Sequence, residues 1–240
     1  MNFDLLSMAA ISISAFVVIT TIARLLGDGR QQHIVVGGAL GIWFAGVAGV
    51  GASGILVGGG PARAAGLGIL VVVPILVLSA VAFLSGRQMK RIKEVELLPL
   101  ILVQALRILG VIFVILFAAD RLPAPFAPLA GYGDMLVGVL AVPLAWAVTS
   151  RKAPPRLPIY FWSALGIGDL INALVLGVLS APGPLQIFND GASSFIMPML
   201  PWILIPGFLV PAFFFLHLVV LVKLRSHRAV LSSQAVSTLA

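Results

Sequence analysis

The sequence predicts an all-α, polytopic membrane protein of seven transmembrane helices, with its N-terminus outside and its C-terminus in the cytoplasm. Three observations lead there. Of the 240 residues, 60% are hydrophobic and 10% charged, where a soluble domain has about 45–50% and about 25%. The apolar residues fall into seven runs, each long enough to cross about 30 Å of hydrocarbon at about 1.5 Å per residue. The positive charge lies between those runs and mostly on one side of them.

The runs are Leu5 to Leu26, Ile34 to Val57, Ala65 to Leu84, Leu97 to Ala119, Pro128 to Thr149, Ile159 to Ser180 and Met199 to Leu224. The first is preceded by Asp4 rather than a basic region, so it reads as a retained helix and not a cleaved secretory signal. In the second, Gly37, Gly41, Ala45, Gly49 and Ser53 form a small-residue stripe at a spacing of four that lets another helix approach closely. Packing within the chain is the first expectation for that stripe, and a homo- or hetero-oligomer the alternative. In the fifth, Gly138 and Ala141 make a shallow face below Asp134. The seventh contains Pro206 and Pro211, where kinks are expected because each proline frees a carbonyl. Between the last two runs, Ala181 to Pro198 carries Asp190 as its single charge and is otherwise apolar. It is expected to lie on the membrane interface or to fold back over the bundle. Residues 1–228 thus form one membrane domain, and the small, polar segment 229–240 is expected to be a flexible cytoplasmic tail.

Orientation follows from the basic residues. Arg24, Arg30, Arg87, Lys90, Arg91, Lys93, Arg151, Lys152, Arg156, Lys223, Arg225 and Arg228, twelve of the fifteen, fall on one side; Arg63 and Arg121 fall on the other, and Arg107 lies inside the fourth helix. Retained Lys and Arg mark the cytoplasmic face, which places the chain in the cell inner (plasma) membrane with the lipid bilayer as its solvent. The net charge of +7 comes from these loop clusters, so nucleic acid is not an expected partner.

With no cysteine, the chain has no disulfide, thiolate nucleophile or Cys-based metal site. No Walker loop, G-x-S-x-G elbow, H-E-x-x-H or dinucleotide fingerprint occurs in usable context, so an enzyme is not expected. His33 and His227 sit in a loop and in the tail, too far out to join His217 as haem ligands; Lys223 stands at the cytoplasmic end of the last helix, where it cannot carry retinal. No cofactor and no metal are implied.

The strongly polar side chains within the hydrocarbon zone are Gln104, Arg107, Asp134, Asp169, Asn172 and His217. Ionisable groups there are expensive and normally face the bundle interior with partners. Arg107 stands about ten residues from the cytoplasmic end of its helix, hence about 15 Å deep. Gln104 and Arg107 share a helix face at a spacing of three, as do Asp169 and Asn172. A guanidinium has five donors and no acceptor, and Asp169 is its first expected partner, Asp134 its second. One arginine between two aspartates leaves a net negative charge unless a proton is shared, and Asp134, taken as the farther carboxylate, is the expected proton carrier. His217 follows Phe213 to Leu216 and is expected to bond a neighbouring helix. The segments Gly131-Tyr132-Gly133-Asp134 and Gly166-Ile167-Gly168-Asp169 are weakly alike on oppositely running helices, as inverted repeats in transporters are.

At Gln104-x-x-Arg107, Asp134-x-x-x-Gly138, Gln186-x-Phe188-Asn189-Asp190 and Pro206-x-x-x-x-Pro211 followed by His217, the chain resembles a family of uncharacterised bacterial multi-pass membrane proteins of no established activity. The similarity covers roughly residues 97 to 224. It implies that helices four to seven and the outer loop form one unit, with Gln186 and Asn189 joining the candidate site. The expected function is a small transporter or ligand-binding protein for a polar or anionic small molecule, proton-coupled, with Arg107 holding the ligand. The alternative is a non-catalytic integral subunit or sensory module whose polar cluster is structural.

Overall fold

The structure, a computed structural model, describes residues 2–58, 60–150, 154–188 and 194–237, with residues 64 and 227–237 described as backbone alone. Expectations that fall on Arg151, Lys152, Asn189 and Asp190, and on the side chains of His227 and Arg228, lie outside the described residues. Every regular element among those described is helical, and seven helices are long and apolar enough to cross a membrane.

The spans are α1 (Phe3–Leu26), α2 (Arg30–Ser53), α3 (Pro61–Leu84), α5 (Leu97–Ala118), α6 (Phe126–Ser150), α7 (Arg156–Leu179) and α8, whose first turns are Ile205–Leu209 and whose remainder is Val210–Ser237. Local chemistry sets several of their ends. Asn2 caps α1 by accepting from the Asp4 N–H, and Pro61 opens α3 where its missing N–H is harmless. The last span starts at Ile205, later than Met199, because Met199 to Leu204 forms separate turns held by bonds such as Ile203 N–H to the Met199 carbonyl. It then opens as a π-turn at Pro206, the local irregularity expected around a helix proline.

A short helix the sequence did not announce, α4 (Gly86–Glu94), lies between α3 and α5. It is too short and too charged for a hydrophobic-run reading, yet it ties the basic end together. Ile92 is fully buried, Gln88 Nε2 donates to the Leu26 carbonyl at 2.9 Å and Arg91 to the Gly27 carbonyl. Arg87 and Arg91 pair with Asp28 at 2.7 and 3.2 Å. The hydrogen bond from Arg87, aided by the charge of Arg91, holds the Asp28 carboxyl below its usual range. A depressed carboxylate stabilises above its unfolded value and loses that contribution as pH falls through the folded one, so this tie is intact at neutral pH and opens only in acid. At the opposite end, Arg121 pairs with Asp4 at 2.6 Å and lies over the Trp202 ring.

The core is centred on α8. Its most apolar window is 72% buried, against 17% in α2 and in α3. Phe208, Phe215, Leu216, Val219 and Val220 are fully enclosed, while Ile42, Leu84 and Phe161 are at least 71% exposed. Such faces suit hydrocarbon, not water.

The small-residue stripe of α2 does not pack within the chain as expected. A Cβ added at Gly41 or Gly49 would meet nothing within 4 Å, and Ala45 and Ser53 are exposed; Gly37, against Ala23, is the exception. The opposite side of α2 makes the contacts: Val47 faces Gly207, and Gly51 faces Ile203 and Leu200. Trp43 and Phe44 of α2 also pack on Phe208 of α8, and this side buries more apolar area than a shallow stripe could.

Candidate functional site

Arg107 is carried by an irregular turn. Within α5, Val103–Gly110 winds as a 3₁₀-helix between α-helical turns Leu97–Leu102 and Val111–Ala118. At three residues per turn, positions three apart eclipse, so Gln104, Arg107 and Gly110 stand in one row, all buried. That row faces α6 at backbone distance. A Cβ at Gly138 would stand 2.7 Å from the Ile108 nitrogen and one at Gly110 2.6 Å from the Gly131 carbonyl oxygen. Small residues permit such an approach between membrane helices.

The row presents the guanidinium, wholly buried, to two carboxylates. Arg107 Nε donates to Asp134 Oδ1 at 2.6 Å and Nη2 to Asp169 Oδ2 at 2.5 Å. Nη1 donates to the Gly166 carbonyl at 3.3 Å and meets His217 Nε2 at 3.2 Å. Because arginine only donates, His217 Nε2 is the acceptor and its proton sits on Nδ1, facing Ser163 Oγ at 3.5 Å. Trp162 stacks at a tilt 4.8 Å from the imidazole and donates its indole N–H to the Val137 carbonyl. Gly166 leaves room for the ring, since a Cβ there would strike His217.

Arg107 therefore does hold both aspartates, not one of them. The expectation that Asp134 stands farther off is corrected: the two ion pairs are equally short. The two G-x-G-D segments deliver these carboxylates from α6 and α7, and Gly133 packs directly on Asp169. Gln104 joins from the side, donating to the Phe213 carbonyl at 3.1 Å, while its own carbonyl oxygen is buried without a partner among the described residues.

Two expected members are placed elsewhere. Asn172 is exposed: each step of three along a helix turns back about 60°, so Asp169 stands at the edge of the buried stripe Trp162, Gly166, Leu170 and Asn172 beyond it. Gln186 donates to the Phe188 carbonyl inside its own loop. That loop folds back on the end of α7, with Ile187 and Phe188 N–H on the Leu179 carbonyl and Ser194 Oγ on that of Gly177. Ser163, Trp162 and the Gly166 carbonyl belong to the cluster unannounced. An apolar helix with single serines and glycines gives no signal of which one faces a buried cation.

One space adjoins the cluster and a second lies beyond it. A void of about 30 Å³ touches Arg107 and Asp134, with Ile11, Leu170 and Leu209 around it, room for about one water. A larger chamber of about 420 Å³ lies between α3, α7 and the start of α8, under the loop residues Pro182, Phe195 and Met197. Phe113, Ile205 and Val210 line both. The position expected to hold a ligand on Arg107 is thus taken by the protein's own carboxylates.

A family model described as a domain of unknown function (DUF8737) matches residues 64–225, which takes in most of α3 and the whole Arg107 cluster. No curated protein and no solved structure matches the chain. The chain belongs to the DUF8737 family, a domain of unknown function.

Proposed function

We propose that the protein is a proton-coupled transporter or ligand-binding protein of the cell inner membrane, N-terminus outside, in which Arg107, Asp134, Asp169 and His217 form the charge-carrying centre. The observation that supports this is one guanidinium shared by two carboxylates in the hydrocarbon zone. With both acids ionised and His217 neutral, the group carries a net negative charge, and an uncompensated charge at that depth is expensive. One proton completes it, shared by the pair rather than owned by either acid. The void touching both Arg107 and Asp134 leaves open space beside the pair. The test is infrared difference spectroscopy between about pH 5 and pH 9. A protonated-carboxyl band should lose intensity as pH rises and be abolished or shifted in both Asp134→Asn and Asp169→Asn. No titrating band would exclude the proton-carrying role.

The direct ion pairs favour a second reading, a non-catalytic subunit or sensory module whose cluster locks helix register. It predicts no titrating band and a stoichiometric partner on purification. Orientation is checked separately: reporter fusions after Arg30, Lys93, Arg156 and Arg228 should read cytoplasmic, and those near Arg63, Arg121 and Asp190 external. Opposite readings at Lys93 and Arg156 would break the seven-span topology.

A further inference from the structure

The chamber of about 420 Å³ is of ligand size, inside the range of about 300–1,000 Å³ usual for small-molecule sites. Its walls are almost wholly apolar: Val71 and Val72 from α3, Ala173 and Val175 from α7, Phe126 from α6 and Val210 from α8. An apolar cavity does not hold water. Val72 and Val175, on the two flanking helices, are 51% and 49% exposed, so the chamber opens sideways toward the hydrocarbon rather than along the bundle axis.

One cation stands at its rim. Arg63, in the first turn of α3, lines the chamber and is exposed. Its guanidinium lies against Gly58, whose φ of +107° favours glycine. Among the described residues no ion pair or hydrogen bond engages Arg63; of the acids described at this end of the bundle, Asp4 is taken by Arg121 and Asp120 makes no ion pair with Arg63. An unpaired guanidinium at headgroup level above a dry, laterally open chamber complements one kind of molecule, with an anionic head and a hydrocarbon tail.

We infer that this chamber binds one anionic phospholipid from the leaflet opposite the basic α4 face, one of its two acyl chains between α3 and α7 and its phosphate on Arg63. The site is separate from the Arg107 cluster and does not depend on that cluster carrying a proton. Native mass spectrometry of the full chain in micelles with equimolar phosphatidylglycerol and phosphatidylcholine tests it. One retained phosphatidylglycerol per chain is expected, preferred about fivefold, the order that one arginine gives near an anionic headgroup. Arg63→Gln should bring the two lipids to equal retention. Val72→Trp and Ala173→Trp, which fill the chamber from opposite walls, should each remove both lipids; if one variant does not fold, the other decides. Equal retention by the unaltered chain, or retention unchanged in a folded tryptophan variant, would overturn the proposal. So would a lipid-free dimer, which would assign the gap to a second copy.

Discussion

Arg107→Met is expected to lower stability by about 3–5 kcal/mol, the usual loss on removing one partner of a buried ion pair. The structure makes the loss steeper than a simple pair would, because the substitution leaves Asp134 and Asp169 facing each other with no cation between them. Rescue therefore requires both acids to go. Arg107→Met with Asp169→Leu keeps one unpaired carboxylate and should recover only part of the loss. The triple change with Asp134→Leu as well replaces the whole group by apolar volume and should return near the starting stability, as buried ionic triads can. Thermal unfolding in detergent reads all three. Strictly additive losses across the series would show that the acids do not share the guanidinium.

Gly138→Leu is expected to be comparably damaging for a different reason. Its Cβ would press on the Ile108 nitrogen and stand 3.2 Å from the Ala105 carbonyl oxygen, and backbone cannot rotate away as a side chain can. Overpacking typically costs about 1–3 kcal/mol and sometimes more; here α6 must also retreat from the 3₁₀ turn and draw Asp134 off Arg107. Reduced folded yield and a lower unfolding temperature should accompany the change. Gly41→Ala and Gly49→Ala form the contrast, since an added Cβ there meets open space, and monomer stability should hold or rise by up to about 1 kcal/mol. A large loss at Gly49, or none at Gly138, would contradict the packing of α2 and α6.

Class, span number and the identity of the buried charges were determined by the sequence alone. Hydrocarbon thickness sets run length and the penalty on embedded charge leaves few candidates, so Arg107, Asp134 and Asp169 stood out in a background of valine, leucine and glycine. The tertiary structure decided how they meet. A 3₁₀ turn at Val103–Gly110 aligns Gln104 with Arg107, and no residue pattern there distinguishes it from α-helix. Whether a residue three positions from Asp169 points in or out depends on where α7 touches its neighbours, and Asn172 proved to lie outside. The α2 stripe shows the same limit: glycine spacing permits close approach on a face, but which face is used is settled by competing side chains, and Gly207 and Ile203 of the last helix and its approach took the other one. Local chemistry is written residue by residue. The pairing of faces is a property of the whole bundle, because apolar burial is non-directional and only the assembled helices choose among surfaces that are alike.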